Sequence, residues 1–134
     1  MSFQEIDYVI THIVNSNRYK AVFERRPKKY MFCCKNYGDI PGLLNKADSD
    51  PWDCFAPGYN FRELTIGRPY KIKKILGYYK LRNGNHKIAI QVYVPGFDKE
   101  KACKEIRKYY TKYTEETNVG GKWVCLCDGY EMKD

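Results

Sequence analysis

Asp48-Ser49-Asp50-Pro51-Trp52-Asp53 places three carboxylates within six residues. Aspartates are ionised at neutral pH, so such a group repels itself unless a cation sits inside it, and hard divalent ions such as Mg²⁺ prefer oxygen donors of this kind. Metal binding at Asp48, Asp50 and Asp53 is one chemistry that the spacing allows. The other reading is a solvated turn, because Asp and Ser bond their own backbone and proline presets φ. A calcium EF-hand loop is excluded, since the glycine and the distal glutamate that its geometry needs are missing. The choice between metal site and turn rests on what surrounds the hexad.

The chain has 134 residues, which suits a single domain over residues 1–134. A hydrophobic share of 43%, with 13 tyrosines, is too rich for disorder. Met1 to Asp7 carry acids and no apolar run, and no segment approaches the ~20 apolar residues of a membrane span, so the expectation is a soluble, cytoplasmic protein without signal peptide or membrane segment. Cys33, Cys34, Cys54, Cys103, Cys125 and Cys127 make a poor secreted disulfide framework, and without a Cys-x-x-Cys they are a poor zinc site; reduced, structural thiols are expected. The net charge of +8 suits nucleic acid, a small polyanion or an acidic partner, and charge alone does not choose among them.

Tyr8 to Val14 is β-branched and aromatic and reads as a strand, turning at Asn15-Ser16-Asn17 into a second strand over Tyr19 to Glu24. Tyr30 to Cys34 is a third apolar run, and the Gly, Pro, Asn and Asp residues from Asn36 to Asn60 argue against a long element there. Tyr70 to Leu81 predicts a strand with a bend or bulge at Gly77, and Asn83-Gly84 predicts the hairpin turn after it. From His86 to Val94 the alternation of Ile88, Ile90, Val92 and Val94 with Ala89, Gln91 and Tyr93 has the period of a strand with one buried face. Asp98 caps a helix in which Ala102, Ile106, Tyr109 or Tyr110, and Tyr113 recur at three- and four-residue spacing; Gly120-Gly121 ends it before a last strand from Lys122 to Cys127. Five or six strands without βαβ alternation indicate a mainly β or α+β domain, a small closed OB-like five-stranded barrel with one C-terminal-region helix packed outside.

The hexad and its neighbours resemble a family. Asp48-Ser49-Asp50-Pro51-Trp52-Asp53-Cys54 is similar to the acidic signature of the soluble family I inorganic pyrophosphatases, Asp-Gly-Asp-Pro-aliphatic-Asp-aliphatic. Asn36-Tyr37-Gly38 upstream resembles the family's Asn-Tyr-Gly, with Arg25 at the family's distance before the tyrosine. Downstream, Lys87-Ile88-Ala89-Ile90 and Gly121-Lys122-Trp123-Val124 continue the match over nearly the whole chain. The resemblance implies Mg²⁺-dependent hydrolysis of diphosphate, or of a related phosphoanhydride, with Mn²⁺ as a substitute metal. Asp48, Asp50 and Asp53 would be metal ligands, Asp50 would also orient the attacking water, and Arg25, Tyr37, Lys87 and Tyr113 would hold the oxygens of a small anionic phosphate substrate.

The departures from the family carry information of their own. Counting back from Lys87, the family's two hairpin aspartates become Asn85 and Lys80, its early glutamate corresponds to His12, and its second-strand lysine and glutamate to Arg18 and Lys20. Two unit charges ~4 Å apart interact by about 4 kcal/mol at an effective dielectric of ~20, so an added lysine opposes a metal ion more than a missing ligand does. Three aspartates can still hold one or two ions if the substrate brings its own oxygens; alternatively, the added cations replace the metals as anion binders. A catalytically impaired pyrophosphatase-fold protein, serving as a binding or structural subunit in a homo-oligomer or larger complex, is therefore the second functional expectation. A nucleic-acid-binding OB barrel is the third. Trp52 is expected in the core, Trp123 is expected to anchor the tail strand, and His12 is expected to be a half-buried strand residue.

Overall fold

Pairing of the predicted strands closes a barrel. The computed structural model describes residues 3–16, 18–24, 36–60, 63–117 and 121–132. In chain order the elements are β1 (Phe3–Gln4), α1 (Ile6–Ser16), β2 (Lys20–Glu24), β3 (Tyr37–Asn45), β4 (Pro51–Phe55), β5 (Pro69–Leu81), β6 (Lys87–Val92), α2 (Lys99–Thr117) and β7 (Gly121–Cys125). Antiparallel pairs β2–β3, β3–β4, β5–β6 and β2–β5, with the parallel pair β4–β6, form a closed five-stranded ring. The ring runs first, second, third, fifth, fourth and back to the first, which is the OB arrangement. Outside it, β1 adds to β3 and β7 adds to the far end of β5.

Strands β3 to β6 bury side chains on both faces, whereas β2 buries only Ala21 and Phe23 on its inner face. One core cluster, which includes Phe23, Ile40, Trp52, Tyr78, Ile88, Ile90 and Val92, fills the interior. A second, with Tyr37, Phe55, Tyr79 and Ala89, lies between the outer face and α2. The single buried face expected of the His86–Val94 segment is thus corrected to two, because α2 covers the side that would otherwise meet water. Asp98 caps α2 as expected, its Oδ1 accepting from the Lys101 amide at 3.1 Å, and Ala102, Ile106 and Tyr109 form its buried stripe. Gly77 coincides with a register shift between β5 and β6, and Gly84 occupies the hairpin turn at φ 79°, a left-handed conformation that favours glycine.

Two expected features are corrected. Residues 8–14 are helical, within α1, because Ile6, Val9 and Ile13 recur at three- and four-residue intervals and join the interior cluster. Burial of that stripe outweighs the β preference of the branched residues. His12 is accordingly a half-buried helix residue, hydrogen-bonded to the Tyr19 hydroxyl at 2.8 Å. The Gly- and Pro-bearing stretch after Asn36 forms the nine-residue β3, whose register with β4 shifts between Ile40 and Leu44 around Pro41 and Gly42. The Tyr30–Cys34 run lies outside the described residues. Among the described residues no helix is long and apolar enough to cross a membrane.

Candidate functional site

The acidic hexad divides between a turn and a strand. Asn45, at the end of β3, organises the turn: its backbone bonds Ser49 and Asp50, its Oδ1 accepts from the Ala47 amide at 2.9 Å, and its Nδ2 donates to the Gly84 carbonyl at 3.1 Å. Asp48 Oδ1 accepts from the Asp50 amide at 3.0 Å, and Ser49 takes φ 63°. Asp48–Asp50 therefore lie in a turn, and the Asn45–Gly84 bond ties this turn to the β5–β6 hairpin. Pro51, Trp52 and Asp53 belong to β4, with Trp52 buried in the core as expected.

Sheet register then aligns the charged residues. Asp39 on β3 pairs with Asp53 on β4, Asp53 with Lys87 on β6, and Lys87 with Tyr79 on β5, giving one row across the outer face of the barrel. Lys87 Nζ reaches Asp53 Oδ2 at 2.5 Å, with the lysine side chain only 5% exposed and the aspartate 20%. The ammonium also stands 5.7 Å from the ring centre of Tyr37, a favourable cation–π placement. Tyr37 is itself buried and stacked at 6.3 Å on Tyr109 of α2.

Asn85 completes the group. With its amide turned so that both ends find partners, Nδ2 donates to Asp53 Oδ2 at 2.9 Å and to Asp48 Oδ2 at 3.2 Å, while Oδ1 accepts from Lys87 Nζ at 3.3 Å. Asp48, Asp53, Asn85 and Lys87 form one hydrogen-bonded cluster.

The Asn-Tyr-Gly segment supports this cluster structurally. Asn36 donates to the Tyr59 carbonyl at 3.1 Å, pinning the chain after β4. Tyr37 lies beneath Lys87. A Cβ at Gly38 would fall 1.9 Å from the Val22 carbonyl oxygen, so the close approach of β2 and β3 requires glycine.

Asp39 was not among the candidates read from the sequence. Burial, together with the charges of Glu24, Asp53 and Asp50, pushes its carboxyl above the usual carboxylate range. It lies two residues after Tyr37 on the same strand face, a relation visible only once β3 is known to be a strand. Asp50 is exposed in the turn and contributes to the field at Asp39. Arg25 lies outside the described residues, and the side chain of Tyr113 is likewise not described.

Lys80 and Arg82 stay clear of this row. Lys80 alternates with Tyr79 on β5, so it faces the opposite side of the hairpin from Lys87, where it meets Lys122 of β7 and His86. His86 Nδ1 accepts from the Leu81 amide at 2.9 Å, which puts the ring proton on Nε2. Burial, reinforced by the charge of Lys80, holds the imidazole below its usual pKa.

Among the described residues no group of three Asp, Glu, His or Cys side chains is arranged to hold a metal ion. Cys54, Cys103, Cys125 and Cys127 are free thiols. No family model, no curated protein and no solved structure matches the chain.

Proposed function

We propose that this chain is a pyrophosphatase-type OB barrel whose key carboxylate, Asp53, is already paired within the chain, and that it serves as a non-hydrolytic binding or structural subunit. One observation carries the reading: Asp53 Oδ2, which the resemblance would give to Mg²⁺, already accepts from the Lys87 ammonium and the Asn85 amide. At ~4 Å and an effective dielectric of ~20, a dication beside the buried ammonium is opposed by about 8 kcal/mol, twice the figure for two unit charges. The donor set therefore does not fit a multi-metal centre, and no hydrolytic step is assigned through one. Asn85 supplies hydrogen-bond donors where a carboxylate would supply ligand oxygens, and Lys87 supplies the counter-charge.

A second reading, Mg²⁺- or Mn²⁺-dependent hydrolysis of diphosphate, is favoured by Asp39, an acid directly opposite Asp53. Phosphate release from diphosphate separates the two. The wild-type chain and Asp53→Asn are expected to give the same background rate with either metal. Wild-type turnover that Asp53→Asn or Asp50→Asn abolishes would establish the hydrolase and reject the non-hydrolytic subunit.

A further inference from the structure

On the opposite face of the β5–β6 hairpin from Asp53 and Lys87, Lys80 of β5 and Lys122 of β7 are direct register partners. Like charges in that position destabilise a sheet. Both side chains line a cavity of about 550 Å³ together with Arg82, His86 and the backbone at Gly84 and Gly121. Among the described residues no carboxylate lines it, and Lys80, Arg82 and Lys122 form no ion pair. Glu5 and Asp7 act on His86 through their charges, and Glu5 lies 3.9 Å from Lys46.

We propose that this cavity is an anion site for a short phosphoanhydride chain, with Lys80, Arg82 and Lys122 as counter-charges and His86 Nε2–H as a neutral donor. Arginine suits the paired oxygens of a phosphate, and lysines act as movable point charges along a chain of them. The volume lies within the ~300–1,000 Å³ of ordinary ligand pockets, so it accommodates linked phosphates. A bound polyanion turns the Lys80–Lys122 repulsion into attraction on both sides. The assignment stands apart from the reading of the acidic face, because it uses none of those side chains and is read by binding.

The experiment uses the full chain without divalent metal. The chain has two histidines, so the ring signals of His86 report on the cavity directly. Sodium tripolyphosphate and diphosphate are expected to shift these signals saturably, more tightly than orthophosphate, and to raise the melting temperature. In Lys80→Gln/Lys122→Gln the affinity should fall at least about tenfold, as expected for removal of two charge-assisted contacts. The unliganded double variant should melt no lower than wild type, because the repulsion is gone. No saturable shift at His86, or equal affinity in the double variant, would overturn the proposal. Tighter displacement by a single-stranded oligonucleotide would assign the cavity to nucleic-acid phosphates instead.

Discussion

The two sides of the β5–β6 hairpin solve the same electrostatic problem differently. On the outer side, Asp39 and Asp53 are opposed across β3 and β4, and Lys87 and Asn85 supply cation and donors from within the chain. On the other side, Lys80 and Lys122 are opposed across β5 and β7, and among the described residues no carboxylate answers them. A like-charged pair across a sheet is not by itself a site. What matters is how much counter-charge the fold supplies: Lys87 answers Asp53 on the acidic side, while among the described residues no ion pair answers Lys80 or Lys122 on the basic side. An acidic motif that attracts attention in the sequence is thus the more self-contained of the two regions.

The contrast can be broken most severely at Asp53. Asp53→Asn removes the carboxylate beside a nearly buried ammonium, and the stability measured by denaturant unfolding should fall by about 3 kcal/mol, the lower end for buried pairs because Asp53 keeps some exposure. Next comes Asn85→Asp, which replaces donors to two carboxylates by a third negative charge. A loss of about 1–3 kcal/mol is expected without metal, partly recovered on adding Mg²⁺ as a ligand that binds the folded state. A variant as stable as wild type in chelator would remove the bridging role of Asn85.

The basic side predicts the opposite sign. Lys122→Glu places an acid across from Lys80 and should stabilise the chain by about 0.5 kcal/mol, while abolishing binding of tripolyphosphate. A destabilised Lys122→Glu would show that the pair is not repulsive in the folded state.

Asp39 gives the smallest effect and the one most dependent on pH. Its carboxyl is raised above the usual range, so the folded state binds this proton more readily than the unfolded chain. The resulting penalty is absent below the ordinary value of 3.8 and fully present above the raised one, so stability contributed here falls as pH rises through that window. Asp39→Asn should therefore be more stable than wild type at neutral pH and no different in strong acid, as read from melting curves across pH.

Much of the architecture was legible because its signals are local. Asn83-Gly84 marks the hairpin, Asp98 and its apolar stripe mark α2, and the alternation from Ile88 to Val92 marks β6. α1 was hidden because Val9, Ile10 and Ile13 are β-branched, and only the interior they pack against favours a helix. β3 was hidden by Gly38, Pro41 and Gly42, and Asp39 with it. Within the site, Asp48 and Asp53 were found from their spacing and Lys87 and Tyr37 from the family resemblance, and their row comes from register, which no single segment encodes. That Asn85 bridges two aspartates follows from the meeting of a turn and a hairpin 37 residues apart in numbering, from Asp48 to Asn85.

Calorimetric titration with Mg²⁺ tests the central claim most directly. Wild type is expected to show no specific binding up to millimolar metal, and Asn85→Asp to acquire it. Saturable Mg²⁺ binding by the wild-type chain, abolished in Asp53→Asn, would contradict an Asp53 already taken up by Lys87 and Asn85.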